Sequence, residues 1–179
     1  MLAAKAGFNS QLRHTVQLQV GQRVRLDVRL RTEGWAYHLG KNNSKLLHPY
    51  SIGIEICNYG WLEEREGKFY TYVNSVVPDD QVCDLGFEFR GRRYYHGYTE
   101  AHIQSVSKLL KEISRRHPQV NLDLGLAEWL AAQTPGEAFD FKDEACNGDV
   151  RGLLTHTNTR PDKNDCSPQP LLVDMLQSL

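Results

Sequence analysis

The sequence predicts one α/β domain over residues 1–179, in which helices cover a β-sheet. Three observations predict it. Residues 51–58 form a short run of β-branched side chains bounded by turn residues, as is typical of a buried strand. Apolar residues alternate with polar ones on both sides of Gly21, and residues 99–117 carry an apolar stripe at helical spacing. A chain of this length can bury a substantial core.

Composition excludes several classes of protein. The formal net charge of -1, with both signs mixed along the chain, argues against a nucleic-acid-binding or membrane-surface protein. No apolar run reaches the roughly 18 residues that a membrane span requires, and the first residues are too weakly apolar for a signal peptide. We therefore expect a protein that is cytoplasmic where it is made. Four cysteines without paired spacing indicate free thiols or a metal ligand, namely Cys57, Cys83, Cys146 and Cys166.

The elements follow from local pattern. Residues 1–13 are poorly patterned, and residues 14–30 read as a hairpin that turns near Gly21. The helix over 99–117 begins after Thr99, a good N-cap, and ends before Pro118. The remaining predictions are, in order, strands over 51–58 and 69–73, mostly irregular chain over 74–93 with a turn at 78–80, a weak helix over 124–132, a loop over 133–149, a strand over 152–155 and a terminal helix over 170–179.

Glu55 is the first candidate functional residue. It lies between Ile54 and Ile56 in the predicted central strand, and a carboxylate in a core is costly unless it is paired or lies near a metal. We therefore expect a partner for it.

A polar loop over 41–44 follows three aromatic residues and could line a groove for a sugar or peptide. The candidate substrate-binding residues there are Tyr37, His38, Asn42 and Asn43. The alternative is that the aromatic side chains are core and that His38 only bonds a backbone carbonyl.

His156 and Cys166 are the candidate metal ligands. They lie ten positions apart on either side of a predicted surface loop, and an imidazole and a thiolate are ligands that zinc prefers. With a zinc-bound water, Glu55 would act as general base or orient that water, and Lys163 would stabilise a tetrahedral oxyanion. The spacing of an isolated His–Cys pair is, by itself, weak evidence for a metal site.

Three ordered motifs resemble those of the zinc-dependent N-acetylmuramoyl-L-alanine amidases, a family shared by bacterial amidases, phage endolysins and peptidoglycan-recognition proteins. The motifs are AYHLG at 36–40, SIGIE at 51–55, and GLLTH at 152–156 followed by Arg160 and DCSP at 165–168. The resemblance runs from about residue 14 to the C-terminus. It implies a mixed central β-sheet flanked by helices, zinc in a cleft at the sheet, and hydrolysis of the amide joining N-acetylmuramic acid to L-alanine of the stem peptide.

Residue by residue, the resemblance implies that His156 is a zinc ligand and that Glu55 assists the zinc-bound water. Cys166 matches the last zinc ligand, which is Asp in some members and Cys in others. Many members carry a catalytic lysine two positions before that ligand. This chain has Asn164 at that position, and Lys163 lies one residue earlier. His38 matches the segment that lines the substrate groove.

The chain departs from the family pattern at its beginning. The family takes its first zinc ligand from an early strand, whereas His14, seven residues before Gly21, matches a later histidine that binds no metal. Either the first strand is lacking, or His14 serves as a substitute third ligand.

Three hypotheses follow for function. The first is a zinc amidase that acts on the cell wall after release or export, with muropeptides as substrate. The second is a non-catalytic peptidoglycan-binding protein with an incomplete zinc site. The third is a hydrolase in which Cys166 is the nucleophile and His156 the base.

Overall fold

The computed structural model describes residues 51–179 in full and the backbone of residues 13–19. Its first sheet has the strand order β2-β1-β8, with β1 at Arg13–Gln19, β2 at Ser51–Cys57 and β8 at Gly152–Thr155. Both ladders are antiparallel, and Val16 of β1 pairs with Ile54 on one side and Thr155 on the other. The predicted strands over 51–58 and 152–155 are thus confirmed, as is the first arm of the predicted hairpin. Its second arm lies outside the described residues.

Two further sheets are built from hairpins. Strands β3 (Leu62–Arg65), β4 (Lys68–Thr71) and β5 (Val76–Val77) form one, and β6 (Val82–Phe89) and β7 (Arg92–His96) form the other. A short 3-10 turn at Asp79–Gln81 leads into β6. The prediction of irregular chain over 74–93 was therefore wrong. A register shift between Asp84 and Phe89 interrupts the ladder, and so the strand lacks the regular alternation by which strands are recognised in sequence.

Helix α1 spans Glu100–Arg116 and confirms the clearest prediction. Its N-cap Thr99 accepts a hydrogen bond from the backbone N–H of His102 (3.2 Å), and the His102 side chain accepts one from the Thr99 N–H in return. Its buried stripe joins a core that also includes Ile54 and Ile56 of β2. The stripe consists of Ile103, Val106, Leu110 and Ile113. Helices α2 (Leu126–Ala132) and α6 (Pro170–Gln177) confirm the other two predicted helices.

Residues 133–149 are not the loop that the sequence predicts. They contain helix α3 (Pro135–Phe139) and helix α4 (Asp143–Asn147). Pro135 occupies the first helical position and Thr134 caps it, accepting from the N–H of Glu137. A Pro-Gly pair normally signals a turn, but at the first turn of a helix the missing N–H of proline costs nothing.

Strand β8 is held by a close backbone approach. A Cβ atom on Gly152 (φ 106°) would lie 2.3 Å from the carbonyl oxygen of Leu124, and one on Gly125 (φ 74°) would lie 2.7 Å from that of Leu153. Both positions therefore require glycine. The start of α2 is thereby fixed against β8, the strand that carries His156 at its end.

The described strands and helices confirm a mixed α/β fold with small antiparallel sheets. Every described ladder is antiparallel, with an isolated parallel bridge between Gly125 and Leu153, so the mixed sheet that the resemblance implies stays a prediction. Among the described residues, no helix has both the length and the apolar character needed to cross a membrane.

Candidate metal centre

Strand β8 delivers its last residues into a buried polar segment. Helix α5 (His156–Thr159) begins directly after Thr155, and residues 155–159 are all buried. Five consecutive buried polar residues are costly unless each finds partners.

The partners come from the α3–α4 segment. The Asn158 amide donates to the carbonyls of Ala138 (2.9 Å) and Asp140 (2.8 Å), and its Oδ1 accepts from the N–H of Thr155 (2.9 Å). Thr157 Oγ1 donates to the carbonyl of Phe139 at 2.6 Å. These bonds fix α5, and with it the position of His156.

His156 faces Asp165. Its Nδ1 lies 3.1 Å from Oδ2 of Asp165, with the imidazole 8% and the carboxylate side chain 19% exposed. Two donors at about 2.0–2.1 Å from one tetrahedral zinc ion lie about 3.3 Å apart, so the pair has nearly the separation of two zinc ligands. The same distance suits a hydrogen bond from Nδ1–H to the carboxylate. His156 Nε2 is buried and has no hydrogen-bond partner within the described part of the chain.

Cys166 has a different neighbour. Its side chain is fully buried, and Sγ lies 3.1 Å from the hydroxyl oxygen of Tyr98. Burial raises the pKa of the Cys166 thiol to about 12, so the thiol is protonated at neutral pH. A cysteine nucleophile needs the opposite, a thiolate stabilised by a neighbouring cation. The contact described for Sγ is instead the neutral Tyr98 hydroxyl, which does not favour the hypothesis of a Cys166 nucleophile.

The chain after Cys166 is anchored to the end of β7. Gln169 Oε1 accepts from the backbone N–H of Tyr98 (2.9 Å), and its Nε2 donates to the carbonyl of His96 (3.0 Å) and to Ser167 Oγ (3.2 Å). Asp165 thus precedes a firmly held segment.

Glu55 differs from its prediction in burial. Its side chain is exposed, so the expectation of a carboxylate in the core was wrong. Alternation along β2 explains this, because Ile54 and Ile56 face the core and Glu55 points to the other face. The strand register nevertheless places the Glu55 backbone near His156. Glu55 pairs with Thr15 of β1. The next residue of β1, Val16, pairs with Ile54 on one side and on the other with Thr155, the residue before His156.

His14 belongs to the same end of the sheet. Its backbone pairs with that of Ile56, two positions along β1 from Val16. The roles predicted for Glu55, His14, Lys163 and Cys166 stay predictions. The predicted substrate-binding residues lie outside the described part of the chain, namely Tyr37, His38, Asn42 and Asn43.

Asp165 is the residue that sequence reasoning missed as a donor. The position of Lys163 could have indicated it. The family resemblance implies a catalytic lysine two positions before the last ligand, and Lys163 stands two positions before Asp165. Within the described residues, no three His, Cys, Asp or Glu side chains are grouped so as to hold a metal ion. Comparisons with protein-family models, curated proteins and solved structures gave no match.

Proposed function

We propose that this protein is a zinc-dependent peptidoglycan hydrolase that cleaves the amide between N-acetylmuramic acid and L-alanine. The observation that carries the proposal is the approach of His156 Nδ1 to Asp165 Oδ2, 3.1 Å apart at the end of β8. The reaction is proposed from the three ordered motifs, which resemble those of the zinc amidases. The proposal includes the family's mixed sheet and its action on the cell wall after release or export.

The donors that we assign are His156 and Asp165, with Asp165 in place of Cys166. An imidazole and a carboxylate suit zinc, and Lys163 then stands at the expected offset. The third donor is His14 in this proposal, because its backbone lies at the same end of the sheet.

Zinc held there would supply a Lewis acid for the scissile carbonyl and would lower the pKa of a bound water to about 7. The chain's own groups do the rest. Glu55 takes the proton of the attacking water, and the Lys163 ammonium stabilises the developing oxyanion. The predicted groove holds the glycan-peptide.

The test is incubation of the protein with muropeptides and zinc, followed by detection of free stem peptide beginning at L-alanine. We expect release by the zinc-loaded wild type and none after chelation. Asp165→Asn should abolish both zinc binding and release, because it removes the anionic donor. Cys166→Ser should retain both.

A matched control is Asp162→Asn, in the same loop. Asp162 is largely exposed and pairs with Arg160 at 2.5 Å, so its change should leave zinc binding intact. If Cys166→Ser lost zinc and Asp165→Asn kept it, the zinc ligand would be the Cys166 thiol and not Asp165.

The second candidate is the non-catalytic peptidoglycan-binding protein. It is motivated by the departure from the family pattern at the start of the chain, where His14 matches a histidine that binds no metal. It predicts metal-free protein that still sediments with peptidoglycan and releases no stem peptide.

A further inference from the structure

Arg90 occupies an unusual place in the hairpin of β6 and β7. It and Gly91 form the two-residue turn, with φ of 52° and 73°. Such a turn needs positive φ at both residues and favours Asn-Gly, whereas arginine there is strained by about 1 kcal/mol. Glu66 has the same φ of 52° in the β3–β4 turn, so the backbone alone assigns no role to Arg90, and the contacts of its side chain must do so.

The Arg90 guanidinium binds the loop that joins His156 to Asp165. Its Nη1 donates to the carbonyls of Arg160 (3.2 Å), Pro161 (2.8 Å) and Lys163 (2.8 Å). Its Nη2 donates to the carbonyl of Thr157 (3.0 Å) and to Oδ1 of Asp140 (2.8 Å). The side chain is only 12% exposed.

These carbonyls need such a donor. They belong to the last turn of α5 and the chain beyond it, where helix hydrogen bonding ends, although the Arg160 carbonyl also accepts from the N–H of Lys163 at 3.3 Å. A planar guanidinium with a fixed fork of N–H groups can bind several of them at once, and a lysine ammonium cannot reproduce that geometry. Residues 157–163 are therefore held by Arg90, and we call them the arginine-held loop.

We propose that Arg90 is a positioning residue for the candidate metal centre: it fixes the arginine-held loop so that Lys163 and Asp165 are presented to His156. This inference rests on the proposed function for the metal and on the hydrogen bonds of Arg90 for the loop. Asp140, through its ion pair with Arg90, ties the same loop to the end of α3.

The test variant is Arg90→Asn. Asparagine suits the positive φ of the turn, so the hairpin keeps its conformation while the loop loses its donors. Two quantities are measured on the purified full chain: the dissociation constant for zinc, by titration against a competing chelator, and the amide exchange rates of Arg160 and Lys163 in the metal-free protein.

We expect at least about tenfold weaker zinc binding, the effect typical of losing an outer-shell partner. Exchange at Arg160 and Lys163 should rise at least about tenfold, while the β6–β7 amides and the melting temperature stay near wild type. Arg90→Lys should behave like Arg90→Asn. The matched control is Arg93→Gln, which removes an exposed arginine paired with Asp84 on the same hairpin and should change neither quantity.

Unchanged loop exchange in Arg90→Asn would overturn the inference. So would a faster-exchanging loop with wild-type zinc affinity, because Arg90 would then serve the fold alone. A uniform rise in exchange with a fall in melting temperature would also count against it. Failure of the wild type to bind zinc, with the loop loosened locally by Arg90→Asn, would instead overturn the proposed function.

Discussion

Two regions of the molecule satisfy their polar groups in opposite ways. In residues 155–159, polar side chains are buried and bond backbone groups of the α3–α4 segment. On the β6–β7 hairpin, Arg93 and Asp84 bond each other in solvent, at 2.7 and 2.8 Å, with side chains 50% and 41% exposed. Breaking a buried bond leaves a desolvated group without a partner, whereas water replaces a lost partner at the surface. The buried region should therefore set the stability of the candidate metal centre.

The largest expected effect is that of Asn158→Ala. The change leaves the buried carbonyl of Ala138 and the part-buried carbonyl of Asp140 without their amide donor and removes the acceptor for Thr155. We expect a loss of about 3 kcal/mol in the free energy of unfolding, measured by urea denaturation. Asn121→Ala is the control, because the exposed Asn121 side chain accepts from the nearby N–H of Asp123 in solvent, and its loss should cost about 0.5 kcal/mol. Equal losses would remove the distinction between the two regions.

Thr157→Val should have the next largest effect. Valine keeps the shape of the side chain but removes the hydroxyl that donates to Phe139 at 2.6 Å and contacts Thr155 Oγ1 at 2.8 Å. We expect a loss of about 1.5 kcal/mol by the same measurement. Ser105→Ala removes an exposed hydroxyl bonded to a helix carbonyl and should be nearly neutral. An unchanged free energy of unfolding in Thr157→Val would show that the hydrogen bonds of this hydroxyl do not stabilise the fold.

Tyr98→Phe sharpens the comparison at Cys166. It removes the hydroxyl that lies 3.1 Å from Sγ, and we expect a loss of about 1 kcal/mol in the free energy of unfolding. Because the Tyr98 hydrogen bond lowers the thiol pKa against the larger effect of burial, its loss should raise that pKa further. Native-state alkylation followed by mass spectrometry should therefore label exposed Cys57 long before Cys166, in wild type and variant alike. Rapid alkylation of Cys166 in the folded wild type would contradict this.

The sequence predicted the elements whose residues carry their own pattern. The stripe of α1, with Thr99 before it, and the β-branched run of β2 are local signals that the packing confirms. Glu55 was placed in the core because its strand was read as buried on both faces, although the Ile-Glu-Ile alternation itself predicts one exposed face.

The candidate metal centre was predicted only in part for a different reason. His156 was found by its motif, but its approach to Asp165 depends on the arginine-held loop, and the loop depends on Arg90, 67 to 73 residues away along the chain. No periodicity marks such a contact. A single sequence gives the residue types, and the tertiary structure selects which of two adjacent candidates, Asp165 or Cys166, faces the imidazole.

The smallest expected effect lies on the exposed hairpin and is a pH dependence. Hydrogen bonds from Arg93 and from the N–H of Gly86 lower the pKa of Asp84 to about 2. Since the folded pKa lies below the unfolded value of about 3.9, the contribution of Asp84 to stability is present above that value and is lost as the pH falls through about 2. Arg93→Gln should raise the pKa of Asp84 toward its ordinary value, measured by NMR titration of the carboxyl carbon, while the Gly86 bond keeps part of the shift. Arg92→Gln is the matched control, because Arg92 stacks on Trp61, 3.9 Å from the ring centroid, and should leave the Asp84 pKa unchanged. A stability loss in Arg93→Gln as large as that in Asn158→Ala would show that surface pairs, too, hold this fold together.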